Sequence, residues 1–333
     1  MVISAINTDN YIYVNLHAEE VVTSNFIADD NVGIYGNRLQ IITLKRIIEY
    51  IKSQKTAKAI TFDCKFLRAC QQNLNKVLVE LKNEGYKIVF LHLQKSLCDE
   101  LSLSTITNEK NQLDGDEYRK FYFFEDGHDP FTNVGINAAR LFELTFKEKI
   151  KQFIEPHKKP HTSSYIYLTS YVDIKKFISY EKEFVLFSLY RLASKIQLEW
   201  GQEIGMKPIL ICQSLNSAYI VSVLSNLLQL DILILDKIGP VNKLYNRIDS
   251  TIIKDRKYIV VSDLVCLGTE VKIVKNLIQF IGGRYLGNVA IIKTETLSKS
   301  DILRSEATIA VFSINRDNNK ELGYGITTNL ELI

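Results

Sequence analysis

Apolar positions along this chain repeat with two periods, and each switch between them marks an element. "YIYVNLH" (11–17) alternates apolar and polar residues with period two, as a strand does. "LQIITLKRIIEYIKSQ" (39–54) places Ile42, Ile47, Ile48 and Ile51 near one face of a helix. "AKAITFDC" (57–64) is a short buried strand. "NLNKVLVELKNEGY" (73–86) is a helix stopped near Gly85, and "KIVFLHL" (87–93) is another strand. Strand, helix and strand in this order predict a parallel or mixed sheet.

The pattern weakens from 108 to 160. "NEKNQLDGDEYRK" is polar and predicts a surface loop, and "FYFFEDGHDPF" is aromatic but broken by Gly127 and Pro130. "GINAARLFELTFKEKIKQFIEPH" (135–157) has helical periodicity that ends before Pro156, and "PHKKPHTSS" has the composition of a linker. From 165 onward the order returns. "YEKEFVLFSLYRLASKIQLEW" is an amphipathic helix, "KPILICQ" a buried strand, "NSAYIVSVLSNLLQL" a helix and "DILILDK" a strand. "RKYIVVSDL" and "GNVAIIKTE" are strands with a helix between them, and "ATIAVFSIN" closes the set. Short strands alternating with helices predict a parallel sheet covered on both faces. Ligands bind such sheets at the carboxyl ends of the strands. Segments 213–216, 236–239 and 262–270 therefore fall around one crevice. The expected organisation is α/β with two domains: a small α/β domain over 1–107, a linker and helix over 108–160, and a second α/β domain over 161–333.

Composition narrows the function classes. Two domains suit 333 residues, and 46% apolar residues can fill their cores. A net charge of +3 gives no global argument for nucleic acid or an anionic membrane. No apolar run reaches the roughly 20 residues that span a bilayer. "MVISAINTDNYIYVNLH" lacks the basic start and apolar stretch of a signal peptide, so the expected location is cytoplasmic. The five cysteines include no C-x-x-C pair, which argues against a disulfide framework or zinc site and for reduced core residues. The five histidines have no metal-ligand spacing, and no metal site is assigned.

The chemistry concentrates in "YIVVSDLVCLGTEVKIVKNLIQFIGG" (258–283). A buried strand, 258–261, leads to Asp263, then to a short turn at Gly268 and Thr269, then to an amphipathic helix. Such a turn can wrap a phosphate with backbone N–H groups while the helix N-terminus adds a favourable dipole. The other reading is a polar strand end that caps the next helix.

Two family resemblances bear on these segments. Residues 3–103 resemble a STAS-type domain through "KAITFDCKFLRACQQNLNKVLVELKNEGYKIVFLHLQKSLCDELSL", with Asp63 in the position of the family's strand-end Asp. "FLRACQQN" offers no Ser or Thr at the helix start, so no regulatory residue is carried over. An unnamed α/β interaction domain is the alternative, and either reading implies a protein partner. Residues 165–315 resemble type I phosphoribosyltransferases, orotate phosphoribosyltransferase in particular. "SYVDIKKFISYEKEFVLFSLYRLASKI" (170–196) supplies Tyr171 and Asp173, with Lys176 close to the family Arg. Lys237 matches the second residue of the family's Arg-Lys pair, with Asp236 in place of the Arg. The segment 238–257 would be the loop that closes over the active site.

The resemblance implies phosphoribosyl pyrophosphate with Mg2+ as ligand and a homodimer through 170–196. It places Ser262 and Asp263 at the ribose hydroxyls, where the family has two acids. Cys266, Gly268, Thr269 and Glu270 fall at the 5′-phosphate, Ser214 and Asn216 at the pyrophosphate, and Lys243 and Arg247 in the mobile loop. The last two also fit a solvated surface loop. Ser262 replaces the first acid, Cys266 and Leu267 replace hydroxylated residues, and Glu270 replaces a small or hydroxylated one. A carboxylate 5 Å from a phosphate costs about 3 kcal/mol at intermediate dielectric. Three functions follow. The preferred one is a non-catalytic protein that binds a phosphoribosyl compound or nucleotide. The others are an active divergent phosphoribosyltransferase and an assembly protein without a small ligand.

Overall fold

The computed structural model describes residues 3–8, 10–16, 38–54, 58–103, 108, 110–111, 120–125, 127–156, 167–168, 170–213, 215–235, 254–266, 268–294, 308–314 and 325–326. They divide into two compact units, Met1–Phe142 and Glu143–Ile333.

The first unit contains β1 (Ala5–Asn7), β2 (Ile12–Asn15), β3 (Arg38–Leu39), α1 (Ile41–Ser53), β4 (Ala59–Asp63), β5 (Ala69–Cys70), α2 (Leu74–Asn83), β6 (Lys87–Leu91), α3 (Lys95–Glu100) and β7 (Lys120–Phe123). Five of its strands form one sheet in the order β1-β2-β4-β6-β7. β2, β4 and β6 run parallel, while β1 and β7 pair antiparallel at the two edges. One face carries Ile12, Val14, Ile60, Phe62, Ile88 and Phe90, packed with Leu44, Ile47 and Ile51 of α1 and with Leu78 and Leu81 of α2. The glycine stop of α2 is real: Gly85 has φ +89, its N–H donates to Lys82 O, and the Tyr86 N–H donates to Leu81 O. These paired bonds satisfy carbonyls the helix would leave open.

α4 (Val134–Lys151) runs across the division between the units. The second unit continues with β8 (Ile154–Pro156), β9 (Tyr167–Leu168), β10 (Ser170–Val172), α5 (Ile174–Tyr180), α6 (Lys182–Gly205), β11 (Ile209–Cys212), α7 (Leu215–Leu228), β12 (Ile232–Ile234), β13 (Lys257–Val265), α8 (Thr269–Phe280), β14 (Arg284–Thr294), β15 (Thr308–Ile314) and β16 (Gly325–Ile326). Its main sheet is parallel throughout, in the order β12-β11-β13-β14-β15. Val271, Val274 and Ile278 of α8 pack on the face that carries Ile209, Ile211, Tyr258, Val260 and Ala290. Leu210, Cys212, Ile259, Val261, Val289 and Ile291 are also buried, and strand alternation sends them to the opposite face. α6 and α7 contact each other and the sheet there. Both faces are covered, as the near-continuous apolar strands predict.

Three expectations change. The central strand does not end at Val261 but pairs with β14 as far as Val265. The helix expected from 135 to just before Pro156 already stops at Lys151, and Ile154–Pro156 is a strand instead. Pro156 explains this, because its ring would clash with the Gln152 carbonyl and it disfavours helical backbone at Glu155. The broken aromatic run holds an edge strand, β7, whose Tyr122 N–H and C=O are both bonded by the Asn111 side-chain amide at 2.7 and 2.9 Å.

Candidate functional site at the strand switch point

The order in which strands are added to the second sheet reverses at one place. β11 connects through α7 to β12 on one side, whereas β13 connects through α8 to β14 and then reaches β15 on the other. β11 and β13 are neighbours, so their following helices leave from opposite faces and open a crevice at their carboxyl ends. Gln213, half-buried, follows β11 there. The Leu235 N–H closes the end of β12 by donating to Cys212 O.

β13 delivers the predicted residues to that edge. Ser262 lies beside Ala290 in the register and is buried, so its side chain turns toward the α8 face. Asp263 is half-buried on the other face, and its Oδ1 accepts the Leu264 N–H at 2.8 Å. The Cys266 thiol is pushed up in pKa by burial, an effect the Thr294 hydroxyl opposes. Thr294 ends β14 and is buried. Beyond that approach of the thiol, its oxygen has no hydrogen-bond partner among the described residues.

Gly268 is the N-cap of α8, at φ +69 and ψ 10. Its carbonyl accepts the Lys272 N–H at 2.9 Å, which starts the helix. The left-handed backbone supplies a reason for glycine here that does not depend on any ligand. Because glycine has no side chain, no side-chain cap bonds the first-turn N–H groups. The cap is thus Gly268 and not Thr269, which is the first helical residue. Thr269 and Glu270 are both exposed in the first turn. Exposure lets solvent screen the Glu270 charge and reduces its penalty toward an anion to a fraction of the unscreened value. Ser214, Lys237, Lys243 and Arg247 lie outside the described residues. Asn216 lies in the first turn of α7, with its side chain also outside them.

A second polar group forms around α5. The antiparallel pair β8–β10 sets Glu155 opposite Tyr171. The Tyr171 hydroxyl donates to Glu155 at 3.0 Å, and Lys176 donates to the same carboxylate. Asp173 caps α5 by accepting the Lys176 N–H at 2.9 Å, and the Lys176 ammonium lies 3.3 Å from its other oxygen. The hydrogen bonds from Lys176 and then Tyr171 hold the Glu155 carboxyl below its ordinary range. The structure therefore brings Tyr171, Asp173 and Lys176 together. Glu155 joins them and was missed, because the periodicity placed it inside a helix.

Among the described residues no three His, Cys, Asp or Glu side chains cluster as a metal cage. Mg2+ is commonly held by one or two carboxylates plus substrate phosphates, and among the described residues β13 brings one carboxylate, Asp263, to this edge. Among the same residues no helix is long and apolar enough to cross a membrane.

No protein-family model and no curated protein matches the sequence. Solved structures do. The chain is similar to adenine phosphoribosyltransferase from Thermoanaerobacter pseudethanolicus at 15% identity, over 50% of this chain and 99% of that one, with a TM-score of 0.38. For orotate phosphoribosyltransferase from Aeropyrum pernix the values are 12% identity, 50% and 93% coverage, and a TM-score of 0.36. The orotate phosphoribosyltransferase of Mycobacterium tuberculosis gives 14% identity, 53% and 95% coverage, and a TM-score of 0.35. At these scores the likeness carries neither substrate nor activity over to this chain.

Proposed function

We propose that the second unit binds a phosphoribosyl compound or nucleotide at the β11–β13 switch point without transferring its phosphoribosyl group. The observation that carries this reading is the reversal of strand order between β11 and β13, the place where parallel sheets hold ligands, and there β13 carries Asp263 and leads into the glycine-capped start of α8. Asp263 holds the ribose hydroxyls. The first-turn N–H groups of α8 and the Thr269 hydroxyl hold the 5′-phosphate, assisted by the helix dipole. Mg2+ enters with a pyrophosphate-bearing ligand, held through that ligand's oxygens and one carboxylate.

Two features support binding over turnover. Ser262 stands where a second acid is expected, and its side chain is buried toward α8. Glu270 adds negative charge in the first turn, where the phosphate group would settle. A regulator tolerates the weaker binding this implies. In this reading the first unit passes occupancy to a protein partner, and two copies pair through 170–196.

Titration calorimetry with phosphoribosyl pyrophosphate and Mg2+ tests the assignment. Glu270→Gln removes the like charge and should tighten binding by roughly threefold to tenfold, since about 1.4 kcal/mol corresponds to tenfold. Pyrophosphate release should stay at background in both proteins. Steady release by the unaltered protein would replace this reading with that of an active phosphoribosyltransferase.

A further inference from the structure

The first unit holds a polar constellation that the proposed ligand site does not use. The register sets Asn15 beside Asp63 and Asp63 beside Leu91, so β2, β4 and β6 end level. Tyr13, Thr61 and Asp63 share the sheet face turned away from α1 and α2, and His92 follows β6 directly. Asp63 is gripped from three directions. Its Oδ2 accepts the Tyr13 hydroxyl at 2.5 Å, and its Oδ1 accepts the Lys65 N–H at 3.0 Å and meets His92 Nδ1 at 2.7 Å. The Asp63 side chain is 11% exposed and that of His92 is 52% exposed.

An ionised carboxylate only accepts hydrogen bonds, so Nδ1 carries the proton and the lone pair of neutral His92 sits on Nε2. Nδ1 faces the buried carboxylate. The exposed edge of the ring is therefore the Nε2 side, and Nε2 has no partner among the described residues. His92 also holds a left-handed backbone, φ +53, which few non-glycine residues adopt and which is often retained at functional positions. A tie between two strand ends would need only a donor. An asparagine amide supplies that with less exposed ring and an easier left-handed backbone.

We propose that His92 is a phosphoryl acceptor, its Nε2 taking a phosphoryl group from a donor that carries a phosphorus–nitrogen bond. A single outward nitrogen suits an electrophile that forms one covalent bond, whereas a metal needs more ligands than the described residues gather here. Lys65, two residues beyond Asp63 and half-buried, adds a cation to the same strand end. In the step, the Nε2 lone pair attacks phosphorus and the phosphorus–Nε2 bond forms. The donor's phosphorus–nitrogen bond breaks, and its electron pair leaves on a nitrogen that is already protonated. The Nδ1 proton stays in place, and the Asp63 charge offsets the imidazolium that forms. Phosphorylated imidazole has a high transfer potential, so its donor must hold the group by a comparably labile bond, and a phosphorus–nitrogen bond does. This proposal is independent of the C-terminal site.

The test uses the full chain and inorganic phosphoramidate at neutral pH. Peptide mass mapping in alkali follows the label, and phosphorus–proton correlation identifies the modified nitrogen. His92 should label faster than His17, His128, His157 and His161, with phosphorus on Nε2. Asp63→Asn should slow labelling by about tenfold or more, because the carboxylate that orients the ring and offsets the imidazolium is lost; partners behind metal-bound histidines matter on the same scale. Labelling of His92 no faster than of the other four would overturn the proposal, as would phosphorus on Nδ1. Should Asp63→Asn fail to fold, the rate order and nitrogen assignment in the unaltered protein still decide.

Discussion

Asp63 shows how a buried charge is kept. Burial alone would raise its pKa. The hydrogen bond and charge of His92, then Tyr13 and the Lys65 N–H, more than offset this and leave the carboxyl below its ordinary value. A depressed folded-state pKa contributes stability that is present above the unfolded value, about 3.9, and is lost as pH falls through the folded one. Unfolding free energy should therefore fall more steeply below about pH 4 in the unaltered protein than in Asp63→Asn. At neutral pH the substitution should cost about 1–3 kcal/mol, because charge-assisted bonds are replaced by weaker ones. Urea titrations across pH give both numbers. Gly268 makes the same kind of point for the backbone. Gly268→Ala must hold a side chain at φ +69 and should cost about 1–2 kcal/mol in the same assay.

At the scale of elements, α8 is the piece most directly answerable to packing. Ile278 is fully buried against the sheet, while Ile273 is 45% exposed on the outer face. Ile278→Ala should cost about 2–5 kcal/mol, and Ile273→Ala should lie within about 0.5 kcal/mol of zero. Equal losses would mean that the helix is rotated from the described orientation. The glycine-closed helix α2 and the parallel C-terminal strands were legible in the sequence, because periodicity and glycine stops are local signals. Other features were not. Ser262 and Asp263 look like the end of a strand, yet the ladder with β14 continues through them and places Leu264 beside Ile292. β7 owes its outer-edge bonds to Asn111, nine or more residues away and outside any local pattern. Asp263 and Gly268 stood out as candidates from strand, turn and helix order. Glu155 did not, because its partners Tyr171 and Lys176 meet it only across the β8–β10 pair. The Tyr13–Asp63–His92 group was invisible for the same reason, since three parallel strands must align before it exists.

The whole molecule carries a mixed five-stranded sheet and a parallel five-stranded sheet in one chain. Under the proposed function, the switch point of the second sheet binds a phosphorylated ribose. Thermal unfolding with phosphoribosyl pyrophosphate and Mg2+, on the unaltered protein and on Asp263→Asn, tests it most directly. Ligand at about a hundred times its dissociation constant contributes about 2.7 kcal/mol to the state that binds it. The midpoint of the unaltered protein should then rise by several degrees and continue to rise with ligand concentration. Asp263→Asn should show little or no rise. An unmoved midpoint at millimolar ligand, or equal rises in the two proteins, would contradict the assignment.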